Sequence, residues 1–441
     1  MVMFHVVLLL GTIMVAARWG GIGVGFAGGV GLAISVFIFD VPVGTPPVDV
    51  MLIILSTIVA LSAMQQAGGM DYLVTLTEKL LRNNPGYLNI LAPTVTFFLT
   101  VLSGTGYTAM SVMNVIQEVA KDNGIRPSQP LSSAVVASQL GITASPISAA
   151  TAIMYGTVEV MGVSFGDAML IVFPTAFFAM LVAAFIASRQ GENLADDPIC
   201  KKVMQENKII INKHINNGVP SGAKSSVIIF LVGVIFVVCM LLFKSVIGHA
   251  INSRDLIIIT MFVVSTLIVF ICKLDMKELK NTPIFKSGAE SLVVVLGIVW
   301  LSSTLIGAHI DEIKIQASDM LRMYPGLLAV VFFCTSAMLF SQGATCALLM
   351  PIAASIGISA DAILASFVAV SALYLTNIYP TTAFAIATDD TGSFLSKRWN
   401  GSKIINHPFF FTRLYLYISC SPNRFCPGKN YSLIYIIINQ I

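Results

Sequence analysis

Charge is what this sequence has least of. Lys, Arg, Asp and Glu make up 11% of its 441 residues, against roughly 25% in soluble domains. Too little polar surface remains to clothe a soluble globule, and a mean hydropathy of +0.87 points to a membrane protein. The net charge is only +3, so a basic nucleic-acid footprint is absent and no nucleic-acid partner is expected. The seven cysteines (Cys200, Cys239, Cys272, Cys334, Cys346, Cys420 and Cys426) lie mostly singly in apolar stretches. That spacing offers neither a disulfide framework nor a zinc site, and leaves them as small packing residues. No alternating barrel strands are evident. The spans also lack paired carboxylates, a Ser near a His or Lys, and His/Glu ligands at helical spacing. We therefore expect no catalytic residues, no metal and no cofactor.

What is present is a succession of apolar runs long enough to cross ~30 Å of hydrocarbon, which lipid forces into helices. Hydropathy places spans near 2 to 17, 20 to 39, 48 to 67, 131 to 155 and 164 to 188. Others fall near 225 to 248, 255 to 272, 288 to 307 and 360 to 387. The first is expected to be a retained span, having no basic leader or convincing cleavage site. Two more stretches, 87 to 120 and 326 to 357, are interrupted by Ser103-Gly104-Thr105-Gly106 and Ser341-Gln342-Gly343. These read as re-entrant hairpins, because irregular backbone at membrane depth is tolerated only around a buried or wet cavity.

With the N-terminus outside, Arg18, Lys79, Arg82, Lys121 and Arg126 fall inside, as do the lysines of the central loop from Lys201 to Lys224. Lys273 to Lys286, Lys397, Arg398 and Lys403 join them, while Asp40 and Asp49 face out. An internal repeat cuts across this topology. Leu61-Ser62, Asp71, Leu81-Arg82 and Pro85-Gly86 match Leu301-Ser302, Asp311, Leu321-Arg322 and Pro325-Gly326 at one constant offset, and Ser145-Pro146 pairs with Tyr379-Pro380. Arg82 falls inside and Arg322 outside, so the halves read as inverted copies, an architecture of secondary transporters.

The breaks are the candidate site. In Ser103-Gly104-Thr105-Gly106, glycines let backbone N–H groups approach an anion, hydroxyls donate, and the helix that follows points its positive end inward. A flexible kink that only packs closely would use the same residues. In Thr143-Ala144-Ser145-Pro146-Ile147-Ser148, Pro146 frees an upstream carbonyl, and Thr143, Ser145 and Ser148 can either expose that backbone or heal it. The second-half counterparts are Ser341, Gln342 and Thr345, then Thr376, Asn377 and Thr381. Together they suggest two half-sites near mid-depth, each replacing water on one carboxylate. Gln65, Gln66 and Gln139 could line the cavity, although a helix-to-helix hydrogen bond is the commoner role for each; His249 and His309 read as interfacial, and Glu118 and Lys121 as a solvated charge pair.

These residues resemble the anaerobic dicarboxylate carriers of the DcuA/DcuB type. The resemblance is carried by Ala17-Arg18 with Gly20-Gly21-Ile22, Pro47-Val48-Asp49-Val50, Ala67-Gly68-Gly69 with Asp71, and Glu78-Lys79-Leu80-Leu81-Arg82. It continues through Ser103 to Gly106, Arg126-Pro127, Pro130-Leu131-Ser132, Ile142 to Ser148, Asp196-Asp197-Pro198 and Tyr379-Pro380-Thr381, over roughly nine-tenths of the chain. It implies exchange of dicarboxylates, or their ion-coupled uptake, in fumarate respiration or aspartate uptake. The tail departs from the pattern. Family members resemble one another in ending on a Gly- and Ala-rich apolar helix, whereas here Arg413, Pro422, Arg424, Pro427 and Lys429 follow. We expect an altered reading frame from Phe411 or Thr412; an intact frame found on resequencing, with stable protein in membranes, would overturn that.

The expected fold is an all-α polytopic membrane protein, an inverted-repeat secondary transporter with discontinuous helices and two re-entrant hairpins. Its parts are a first half at 1–188, a cytoplasmic loop at 189–224, a second half at 225–411 and an atypical tail at 412–441. The expected activity is carriage of succinate, fumarate, malate and aspartate across a bacterial inner membrane, by antiport or coupled to Na+ or H+. Membrane lipids and a homo-oligomer are further expected partners. A carrier of another organic anion, an intramembrane enzyme and a passive channel stand as the alternatives.

Overall fold

The computed structural model describes residues 2–19, 22–191, 194–197, 200, 203, 220, 222–243, 251–309, 312, 326–375 and 379–395. Among them all regular structure is helical, as apolar runs must be where no water can satisfy the backbone. The first half holds α1 (Val2–Trp19), α2 (Gly23–Phe37), α3 (Val48–Gln66), α4 (Gly69–Asn83), α5 (Leu88–Ser103), α6 (Tyr107–Asp122), α7 (Ser128–Thr143), α8 (Ala149–Glu159) and α9 (Phe165–Ala187). The second holds α10 (Ala223–Leu242), α11 (Ser253–Ile271), α12 (Pro283–Val294) and α13 (Trp300–Gly307), the last two joined by a π-helical turn, Val295–Val299. It continues with α14 (Leu327–Leu339), α15 (Gln342–Ser355), α16 (Ala360–Phe367) with its 3-10 extension Val368–Leu375, and α17 (Pro380–Thr388).

Six stretches among the described residues are helical, long and apolar enough to cross a membrane: Val48–Gln66, Pro85–Ser103, Phe165–Ala187, Ala223–Leu242, Ser253–Ile271 and Pro283–Leu305. They carry exposed large apolar side chains, among them Phe185, Phe236, Phe262 and Phe270, which hydrocarbon tolerates and water does not. The amphipathic α4 is different. Its Arg82 pairs with Glu78, Glu118 and Asp122 at 2.7, 3.3 and 2.9 Å. The hydrogen bonds to Glu78 and Asp122 push the Arg82 guanidinium above its ordinary value.

Packing in the two halves runs in pairs. Helix α1 packs on α2 as α10 packs on α11, and α2 meets the π turn as α11 meets α3. Helix α5 lies on α7 as α14 lies on the 3-10 segment, and α6 meets α17 as α8 meets α15. The α2 crossing is a backbone-to-backbone contact. A Cβ added to Gly28 would lie 2.4 Å from the Gly297 carbonyl carbon, so only small residues permit it.

Polar side chains tie helix ends together. Arg254 reaches Asp49 at 2.6 Å and Lys121 reaches Asp390 at 2.6 Å. His5 Nδ1 and His309 Nε2 share a hydrogen bond of 2.7 Å. Glu118 and Lys121, expected to face each other in solvent, instead bind Arg82 and Asp390 on other elements. The tightest tie is buried. Arg126 pairs with Asp197 at 2.8 Å, with 1% and 4% of their side chains exposed, and also donates to the Ser393 carbonyl at 2.6 Å. One guanidinium thus joins the α6–α7 loop, the segment between the halves and the chain after α17. Residues 376–378 and 396–441, and with them Thr376, Asn377 and the atypical tail, lie outside the described residues.

Candidate functional site

Each break has a local cause. At the end of α5 the backbone turns left-handed on Gly104, φ +70°, where a side chain is strained. A Cβ there would also meet the Ile147 backbone at 3.3 Å. The apolar run from 131 to 155, expected as one span interrupted at Pro146, is two helices. Pro146 contributes no N–H, and Ser148 caps α8 by accepting from Thr151 N at 3.1 Å. At the end of α14 the left-handed residue is Phe340, φ +52°, and Ser341 caps α15 by accepting from Ala344 N at 3.2 Å. Helix α17 opens on Pro380 at its first position, where a missing N–H costs nothing.

All four breaks line a single cavity of about 200 Å³. The first supplies Gly104, Thr105, Gly106 and Tyr107, and the second Ile142, Ile147, Ala149 and Ala150. The third supplies Phe340, Ser341, Gln342 and Gly343, and the fourth Leu373, Tyr379, Pro380 and Thr381. Helix α3 adds Ile53, Ile54, Thr57 and Ile58, while α12 and its turn add Ser287, Glu290, Ser291, Val294 and Val295. The starts of α6, α8, α15 and α17 therefore all touch the same space. Unsatisfied N–H groups and the positive ends of helix dipoles gather there, with no Lys or Arg in the lining.

The sequence candidates divide. Gly104, Thr105, Gly106, Ser341, Gln342 and Thr381 line the cavity; Ser103, Thr143, Ser145, Pro146, Ser148 and Thr345 do not. Five of those six carry hydroxyls, and these are committed locally. Ser103 Oγ bonds Thr108 Oγ1 at 2.8 Å, Thr143 Oγ1 donates to the Leu140 carbonyl at 2.7 Å, and Ser145 Oγ accepts from Ile147 N at 3.4 Å. Ser148 caps α8, and Thr345 Oγ1 donates to the Ser341 carbonyl at 2.8 Å. Across the halves, Gln139 Nε2 donates to Thr381 Oγ1 at 3.1 Å, and Gln342 Nε2 donates to the Gln139 carbonyl at 2.9 Å. Gln65 and Gln66 also bond between elements, to Ile284 N at 3.0 Å and the Asp275 carbonyl at 2.8 Å.

Sequence reasoning missed the α12 face. Ser287, Glu290, Ser291 and Val294 recur at i, i+3, i+4 and i+7, which is one stripe of a helix. That spacing was readable, but Glu290 stands at the third residue of the expected span 288–307, where a carboxylate draws no notice. Tyr107, immediately after the first break, was missed as well. Its hydroxyl bonds Ser291 Oγ and donates to the Ser287 carbonyl at 3.1 Å.

Fold and site together define a polytopic helical membrane protein with a cavity where interrupted helices meet. The model of the anaerobic C4-dicarboxylate membrane transporter family, DcuA/DcuB, matches residues 1–422, and the chain belongs to this family. It is 42% identical over 416 residues to the C4-dicarboxylate transporter DcuA of Escherichia coli K12, covering 93% of this chain and 95% of that one. It is 41% identical over 414 residues to DcuA of Wolinella succinogenes, with coverage of 93% and 95%. The anaerobic C4-dicarboxylate transporter DcuB of Escherichia coli is 33% identical over 426 residues, with coverage of 93% and 94%.

Proposed function

We propose that the protein is a secondary carrier of C4-dicarboxylates such as succinate, fumarate, malate and aspartate in the bacterial inner membrane, working by antiport or ion-coupled uptake with alternating access. The observation that carries this reading is the meeting of four helix N-termini at one cavity with no basic side chain in its lining. Such a site holds carboxylates by N–H groups and hydroxyls, and it releases them more readily than a buried ion pair would. Thr105, Ser341 and Thr381 supply the hydroxyls, and Gly104 and Gly106 the close backbone. Tyr379 and Pro380 complete the wall.

The two halves are inverted repeats, with α5–α6 and α14–α15 as re-entrant hairpins from opposite sides. The paired packing of α1–α2 with α10–α11, and of α6–α17 with α8–α15, supports this. In that arrangement the Arg126–Asp197–Ser393 tie and the Lys121–Asp390 pair lie on the cytoplasmic side. Counterflow tests the function. Purified protein in vesicles loaded with succinate is expected to accumulate external labelled succinate, with saturation, and competition by fumarate and malate but not by citrate, lactate or sulfate. Flux without saturation or counterflow would mean a channel, and competition by citrate would mean a carrier of other anions. Repeating the measurement with and without a sodium or proton gradient separates antiport from coupled uptake.

A further inference from the structure

One buried amide reaches three of the breaks and stands about a turn before the other. Gln139, on α7 shortly before that helix stops at Thr143, is fully buried. A Cβ added to Gly106 would lie 3.4 Å from its Nε2. That nitrogen donates to Thr381 Oγ1 at 3.1 Å and to Ser138 Oγ at 3.2 Å, while Oε1 accepts from Gln342 Nε2 at 3.3 Å. A backbone carbonyl fixes which way these amides point. Gln342 Nε2 also lies 2.9 Å from the Gln139 carbonyl, which can only accept; the reverse orientation of Gln342 would set two oxygens against each other. With the Gln342 nitrogen turned to α7, Gln139 presents its oxygen to Gln342 and its nitrogen to Thr381. Thr381 Oγ1 is thus an acceptor from behind. Its own O–H has no acceptor among the described residues and is left for the cavity that Thr381 lines.

We infer that Gln139 is a positioning residue for transport: by donating to Thr381 from behind, it holds that hydroxyl as a donor towards the carried anion. This rests on the reading of the cavity as the carboxylate site, and adds to it a residue outside the lining. A hydroxyl can turn to donate or to accept, whereas an ionised carboxylate only accepts. A Thr381 hydroxyl turned the other way would set its lone pairs against the ligand. The buried amide removes that alternative, because its N–H needs the Thr381 oxygen as acceptor and an unmade hydrogen bond is costly away from water. Gln139 belongs to the first half, and Thr381 and Gln342 to the second, so the same bonds also hold the two halves in register at the cavity.

A double-mutant cycle on succinate counterflow in proteoliposomes tests the coupling. Gln139→Met keeps the bulk of the side chain and removes its hydrogen bonds. It is expected to raise KM about three- to tenfold with kcat unchanged, the size of one neutral hydrogen bond and less than Thr381→Val alone. Added to Thr381→Val, it should raise KM no further, since the hydroxyl it orients is gone. Thr381→Ser keeps the hydroxyl, and should keep both the wild-type KM and its sensitivity to Gln139→Met. Gln139→Asn, which withdraws the amide from Thr381 but stays polar, carries the same expectations should Gln139→Met fail to be retained in membranes. A wild-type KM in the Gln139 variants overturns the inference, as does a fall in kcat alone, which is what a purely structural role would give. So does the same rise in KM on top of Thr381→Val. Thr381→Val with a wild-type KM is a different failure: it removes the carboxylate-site reading itself, and this inference with it.

Discussion

At the end of α5 the chain turns left-handed on Gly104, and at the end of α14 it turns left-handed on Phe340. The two breaks share a geometry and differ in chemistry. In the first half, glycines bring backbone close to Ile147 and Thr381, while Ser103, Thr143, Ser145 and Ser148 spend their hydroxyls on caps and turns. The second half brings Ser341, Gln342 and Thr381 to the cavity, and the first brings Thr57, Thr105 and Tyr107. Two breaks alike in backbone thus meet the cavity with different residues.

Cutting the tie between the halves should have the largest effect. Arg126→Ala removes the buried cation that faces Asp197, which costs about 3–5 kcal/mol. The expected result is a sharply lowered unfolding midpoint in detergent and little protein retained in membranes. Next comes the contrast in hydroxyls. Thr381→Val should lower succinate uptake about ten- to a hundredfold by raising KM, the magnitude of a hydrogen bond to a carboxylate. Ser103→Ala should leave KM alone and cost about 1 kcal/mol of stability. Equal effects on KM would erase the distinction between a hydroxyl that lines the cavity and one committed to a turn. Smaller again is the backbone pair. Gly104→Ala places a Cβ in a left-handed residue at a cost of about 1–2 kcal/mol, whereas Phe340→Gly relieves the same strain, so the two should shift thermal stability in opposite directions. The smallest effect concerns Cys200, beside the Arg126–Asp197 pair. Burial pushes its thiol up to about 11. The reactive thiolate therefore stays scarce at neutral pH and forms only as pH rises towards that value, so maleimide labelling of membranes at pH 7 should spare it.

Much of this was legible along the chain because it depends on local backbone physics. Runs such as 48 to 67 and 164 to 188 become α3 and α9 within a residue or two, since lipid leaves them no other structure. The interruptions at Gly104, Pro146, Ser341 and Pro380 could be read from glycine, proline and capping residues. Glu290 could not be placed in the same way: a carboxylate near a span end has the same sequence signature whether it faces headgroups or a ligand. Nor could Ser103 be told from Thr105, two residues apart, because neither spacing nor composition says which hydroxyl a neighbouring turn will claim.

By itself, then, the sequence determined that the chain is helical, that it belongs in a membrane, and where its helices must stop, all consequences of hydrogen bonds each segment makes with itself. Only the tertiary structure decided that the four stops meet around one cavity, that Gln139 joins Gln342 to Thr381 behind it, and that Glu290 is turned toward it. Those are contacts between residues as many as 242 positions apart, and they depend on how whole helices pack.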